Sequence, residues 1–157
     1  MSEGVRIIRI QQPEYLDVLA LRNEVLRKPL GLNIYHENLD HELDAQIFIY
    51  QTEGKVVGCL LLFPEAPQVV RFKQMAVAPA YQGRGIGRAL IKAAEDFALS
   101  KGFSNVYFHA RESAIPFYEK MGYATFSDSF TEVGIPHKKM GRNLAGQAFQ
   151  LRFEDED

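Results

Sequence analysis

One cysteine, Cys59, and no tryptophan occur in 157 residues. A lone thiol cannot close an internal disulfide, which fits a reducing compartment, so the cytoplasm is the expected location. No apolar run is long enough to span a bilayer. The start, Met1-Ser2-Glu3-Gly4-Val5-Arg6, lacks the basic-then-apolar order of a secretory signal. Charge of one sign is also scarce: the formal net charge is −2. No long-range field therefore favours nucleic acid or an anionic membrane, and no basic-aromatic surface pattern argues for nucleic acid. No His, Cys and carboxylate grouping has zinc-ligand spacing, so no metal is expected. Internal repeats, low-complexity stretches and linkers are missing too.

What is present reads as one ordinary globular domain with a sizeable core, residues 1–142, followed by a tail, 143–157. The tail's end, Glu154-Asp155-Glu156-Asp157, is expected to be a solvated, frayed terminus. Val5 to Ile10 alternates and is β-branched, which predicts a first strand. Pro13 opens a helix that closes at Lys28-Pro29. Leu30 to Asn38 reads as a loop, and Glu37 to Asp44 as a short helical turn. Three strands of a meander follow: Ala45–Tyr50, Val56–Phe63 and Val69–Val77. The first two are joined by a Glu53-Gly54 hairpin turn, the last two by a turn over Pro64–Gln68. A long amphipathic helix spans about Arg84 to Lys101 and stops at Gly102. Asn105–Ala110 reads as a buried parallel strand. Ser113 can cap a helix over Ala114–Met121, and Tyr123–Thr131 and Ile135–Gly141 read as final strands. This order predicts a mixed, mostly antiparallel α/β sheet of six to seven strands, flanked by about four helices.

The most informative stretch is Gln82-Gly83-Arg84-Gly85-Ile86-Gly87-Arg88. Glycines let backbone approach a ligand closely, and the following helix offers unpaired N–H groups and a positive dipole end. That combination makes an anion site suited to phosphate or diphosphate, with Arg84 and Arg88 adding charge. The dinucleotide fingerprint fails, because the glycines alternate and Arg88 stands where its last glycine belongs. The nucleotide-triphosphate loop fails for want of a Lys-Ser or Lys-Thr pair. The remaining pattern, Gln-x-x-Gly-x-Gly after Met75-Ala76-Val77-Ala78-Pro79, resembles the coenzyme A signature of the GNAT acetyltransferase superfamily. Ser113-Ala114-Ile115-Pro116-Phe117-Tyr118-Glu119-Lys120-Met121-Gly122-Tyr123 resembles the same family's helix after the fifth strand. Glu132 to Met140 is similar to the last strands of a subgroup of small bacterial members. Together the resemblance covers roughly Val5 to Met140.

The resemblance implies the acyl-CoA N-acyltransferase fold, with fourth and fifth strands splayed apart by a bulge. It implies acetyl-CoA as cosubstrate and an amine acceptor, small-molecule or peptide, and it leaves a homodimer open. The diphosphate would rest on Gly83, Arg84, Gly85, Ile86, Gly87 and Arg88, with Gln82 helping. The pantetheine arm would pair with Met75, Ala76 and Val77 like an added strand, and an N–H of Met75 or Ala76 could hold the oxyanion. Tyr118, beside Phe117, falls at the family's general-acid position; without the family it reads as a core aromatic. Ser113 is expected as a helix cap that also touches the coenzyme.

An ammonium acceptor must lose a proton, which calls for a base. Glu132 and His137 on the final strands are the favoured candidates; His41, Glu42 and Asp44 lie nearer the acceptor side. Glu132 could equally be a surface carboxylate and His137 a hydrogen-bonded structural imidazole. His36 and His41 read as loop residues, and His109 as packed or hydrogen-bonded. Cys59 sits in an apolar strand with no base at motif spacing, so it reads as a small buried hydrophobe rather than an acyl carrier. Two functional classes follow: an acetyl-CoA-dependent N-acetyltransferase, or a non-catalytic coenzyme A-binding module acting through a protein partner.

Overall fold

The computed structural model describes residues 3–149 and 151. The chain runs β1 (Gly4–Ile8), α1 (Glu14–Leu26), β2 (Gln46–Thr52), β3 (Lys55–Ala66), β4 (Val69–Val77), α2 (Ile86–Ser100) and β5 (Asn105–Arg111). It ends with α3 (Ile115–Glu119), β6 (Ala124–Thr125), β7 (Phe130–Glu132) and β8 (Ile135–Asn143). One sheet holds all the strands in the order β1-β2-β3-β4-β5-β8-β6, with β7 also on β8. Among the described residues only the β4–β5 pairing is parallel; the others are antiparallel.

The class is as expected, with differences in the details. The stretch expected as one strand from Tyr123 to Thr131 is broken, which brings the described strands to eight. At the break the Ser127 hydroxyl accepts the Lys139 N–H at 2.8 Å, taking the place of a ladder carbonyl. The α-helices described number three, because the segment between α1 and β2 forms only 3₁₀ turns, at Lys28–Leu30, Ile34–His36 and Asp40–Asp44. β3 runs on through Pro64, which pairs with Val70 beside a register shift, where a residue without an N–H is tolerated. The turn is thereby shortened to Pro67-Gln68.

Alternation along the strands builds two cores. Leu60, Leu62, Phe72, Val106 and Phe108 pack beneath α2 with Ile86, Leu90 and Ile91. Ile47, Ile49, Cys59 and Leu61 face Val18 and Leu21 of α1. At Gly58 the sheet comes close under α2: a β-carbon there would lie 2.8 Å from Ile86 Cγ2. Beyond β8, Leu144 N–H donates to Ser104 O at 2.7 Å, and the Phe149 ring tilts against Phe126 at 5.0 Å. The acidic end, 154–157, lies outside the described residues. No helix among the described residues is long and apolar enough to cross a membrane.

Candidate active site

β4 and β5 pair only at Val69–Asn105, Val70–Val106 and Arg71–Tyr107, then part. The cause on β4 is a bulge. Leu61 faces Lys73 while Cys59 faces Ala76, so β4 spends an extra residue there. Gln74 absorbs it at φ 59°. The bulge is held from two sides: the Cys59 thiol donates to Gln74 O at 3.4 Å, and Arg27 donates to Gln74 Oε1 at 3.1 Å. Arg27 is itself paired with Glu37 at 2.6 Å.

The parted strands open a cleft of about 980 Å³. One end lies at the glycine turn. Gly83 and Gly85 take left-handed conformations, φ 78° and 81°, that let the chain swing from β4 into α2. Gly85 is the N-cap of α2, no side chain caps it, and no acidic residue occupies the first turn. The first helical bond runs from Ala89 N–H to Gly85 O, so the amides of Ile86, Gly87 and Arg88 have no helical acceptor.

Gln82, Gly83, Gly85, Ile86, Gly87 and Arg88 line the cleft with Met75, Ala76 and Val77. Arg84 does not; its guanidinium stacks over Tyr81 at 5.0 Å. The Gln82 amide donates to Val77 O at 3.0 Å and braces the turn.

At the middle of the cleft lie Ser113, Phe117 and Tyr118. Ser113 is not a helix cap. It sits inside a 3₁₀ turn, Glu112–Ala114, and α3 starts later, where Pro116 presets the first helical turn. The Tyr118 ring tilts on Phe108 at 4.5 Å and meets Phe117 edge-on at 5.1 Å. Burial pushes its phenol up to about 12, against the opposing charge of Arg111, so it is a neutral proton donor at physiological pH.

The far end of the cleft gathers Glu132, His137 and His109, a residue expected only as packed or hydrogen-bonded. Glu132 Oε1 lies 2.8 Å from His109 Nδ1, and Oε2 lies 3.9 Å from His137 Nε2. Burial pushes the Glu132 carboxyl up, but the His109 hydrogen bond and neighbouring positive charges outweigh it and hold it below the usual range. His137 is buried, 4 % exposed, with Nδ1 2.7 Å from Ile135 O. A carbonyl only accepts, so Nδ1 carries the hydrogen and a neutral His137 keeps its lone pair on Nε2.

His109 Nδ1 also lies 3.2 Å from an Arg71 nitrogen; burial lowers its pKa despite Glu132. The readable signal was strand alternation: Phe108 and Ala110 face the α2 core, which turns His109 to the other side.

The other candidate bases fare differently. Glu42 is buried and bound by both Arg22 guanidinium nitrogens, at 2.8 and 2.6 Å, and by Tyr15 at 2.8 Å; it is structural. His41 stacks on Phe63 at 5.9 Å, and Asp44 is exposed. Burial pushes the Cys59 thiol up to about 12, which removes it as a nucleophile and agrees with the buried-hydrophobe reading.

The sequence model of the acetyltransferase (GNAT) family matches residues 6–123. The chain belongs to the GNAT family of acetyltransferases. This GNAT protein is 34% identical over 136 residues to the uncharacterized N-acetyltransferase YjcF of Bacillus subtilis, covering 85% of this chain and 96% of that one. Other curated relatives match over 48% to 68% of their own length. Among solved structures, a provisional N-acetyltransferase of Lactobacillus plantarum superposes with a TM-score of 0.78 at 28% identity. That match covers 90% of this GNAT protein and 99% of its counterpart. An Elizabethkingia anophelis family member with acetyl-CoA bound shares the fold, with TM-score 0.68 and 19% identity over 90% and 97% of the two chains.

Proposed function

We propose that the protein transfers an acetyl group directly from acetyl-CoA to a primary amine. One observation carries the reading: a single cleft joins the open amides at the mouth of α2, the parted β4–β5 edge, Tyr118, and the Glu132–His137 pair. The free N–H groups of Ile86, Gly87 and Arg88, with the Arg88 charge, suit a diphosphate. The unpaired β4 edge after Arg71 suits the amides of a pantetheine arm.

The acceptor ammonium gives a proton to His137 Nε2 or Glu132, which lie on the same side of the cleft. The freed nitrogen attacks the thioester carbonyl, a C–N bond forms, and the C–S bond breaks. Tyr118 then protonates the departing thiolate, and the second proton lost by the new amide nitrogen restores the Tyr118 phenol. Of the two amides considered for the oxyanion, Ala76 N–H is turned toward the Cys59 sulfur, which favours Met75.

The test is Tyr118→Phe, assayed by thiol release with an amine panel. The expected result is a fall in kcat of about 10²-fold or more, with acetyl-CoA affinity unchanged by calorimetry. Unchanged turnover would remove Tyr118 as the acid. Tight acetyl-CoA binding with no acetylation of any amine or peptide would instead favour a coenzyme-binding module.

A further inference from the structure

Around the acceptor end of the cleft, charge is unevenly matched. Pairing places Arg71 and Lys73 of β4, His109 and Arg111 of β5, and His137 and Lys139 of β8 on the same face. It is the face that α1 covers only in part, since α1 packs on β3 and β4. The carboxylates near it are already engaged. Glu65 accepts from Tyr107, Glu132 is bound to His109, Glu37 to Arg27 and Glu42 to Arg22.

The cations are not so engaged. Among the described residues neither Lys73 nor Arg111 forms an ion pair, yet both line the cleft. Arg71 keeps a buried Nε with no hydrogen-bond partner. The Lys73 ammonium hangs over the Phe63 ring at 5.3 Å. Burial, then the Arg71 charge, lowers its pKa, outweighing the opposing charges of Glu65, Glu132 and Glu42. A desolvated cation beside another cation is relieved by an anion and aggravated by a further cation.

We infer that the acceptor amine carries an anionic group, carboxylate or phosphate, held by Lys73 and Arg111 at the acceptor end of the cleft. This rests on the acetyl-transfer reading in placing the amine beside Glu132 and His137. It excludes polyamines and basic peptide tails as preferred acceptors, because their second cation would meet Lys73 and Arg111. The amine end meets Glu132, the anionic end meets the two cations, and the molecule is thereby oriented across the cleft.

The experiment uses matched amines: 2-aminoethyl phosphate against 2-aminoethanol, 4-aminobutyrate against 4-aminobutanol, and 1,4-diaminobutane as the cationic probe. Thiol release with acetyl-CoA gives kcat/KM, and calorimetric titration of each amine into CoA-saturated protein gives binding without turnover. The anionic member of a pair is expected to exceed its neutral partner by about tenfold or more in kcat/KM. The two pairs separate phosphate from carboxylate. Lys73→Gln should bring that ratio close to one through KM, Lys73→Arg should restore it, and Arg111→Gln should raise KM for the anionic member.

Equal or better use of neutral amines or diaminobutane would overturn the inference while leaving acetyl transfer standing. So would an anion preference that Lys73→Gln does not move. Saturable binding of the anionic amines that Lys73→Gln abolishes, with nothing acetylated, would keep the inference and overturn acetyl transfer.

Discussion

His109 and Glu132 tie the site to pH. Burial depresses the His109 pKa below 6.5 in the folded chain; burial also pushes Glu132 up, but its hydrogen bond to His109 and the neighbouring positive charges together hold it below 4.5. Between the folded and unfolded values the unfolded chain binds more protons, so stability rises with pH there. Both groups therefore contribute stability that is complete above the unfolded pKa and is lost as pH falls through the folded one. Thermal midpoints should begin to drop below about pH 6.5 and drop again in the carboxylate range. His109→Gln should flatten the first decline relative to wild type; an unaltered profile in the variant would show that His109 is not its source. At this scale the sequence was informative where a motif fixed the register, as at Tyr118 and the glycine turn. It was less so at His109 and Gln74. A half-buried histidine and a left-handed glutamine acquire their meaning from partners, Glu132, Arg71 and Arg27, that lie far away in the chain. Ser113 misled because Ser before a helix is a cap pattern, and Pro116 moved the helix start past it.

The 3₁₀ segment between α1 and β2 has almost no regular structure of its own, yet it borders the cleft through Leu30, Leu32 and Glu37. It is held by one buried ion pair, Arg22–Glu42, with side chains 0% and 2% exposed. Burial opposes both charges, and their mutual bonds win, keeping Arg22 above and Glu42 below their usual ranges. Removing one partner strands the other charge in the core. Arg22→Ala should therefore cost about 3–5 kcal/mol, read by urea unfolding, and should raise acceptor KM more than acetyl-CoA KM. A loss under 1 kcal/mol would mean that water or another group reaches Glu42. Strands and helices with clear periodicity were legible in the chain. β4 falls over Val69–Val77, and the Glu53-Gly54 turn has φ 52° and 74°, the mirror-image turn such hairpins use. The 3₁₀ segment was legible as a loop and a short helical turn but not in its path, because its order comes from a tertiary pair twenty residues apart. The Val133-Gly134 turn was harder still: a β-branched residue at φ 46° contradicts local preference.

Across the whole molecule, the sheet is a device for holding two strands apart. β1 to β4 form one continuous half under α1 and α2, β5 to β8 the other, and three pairs join them at one end. The order of elements made this plan legible, since a meander, a helix and a parallel strand leave few ways to close one sheet. The gap itself rested on resemblance, because no local residue pattern says how far two strands stay paired. A ligand that fills the gap spans both halves and should stabilise them together. Acetyl-CoA at about a hundred times its Kd adds about 2.7 kcal/mol, which in a chain of this size raises the melting midpoint by about 5–10 °C. Arg88 is exposed at the mouth of α2, so Arg88→Glu should barely alter the midpoint of the free protein. It places a carboxylate against the diphosphate and should remove most of the ligand-induced rise. A full rise in that variant would mean that the coenzyme's phosphates do not bind at the mouth of α2, and that the cleft is entered from its other end.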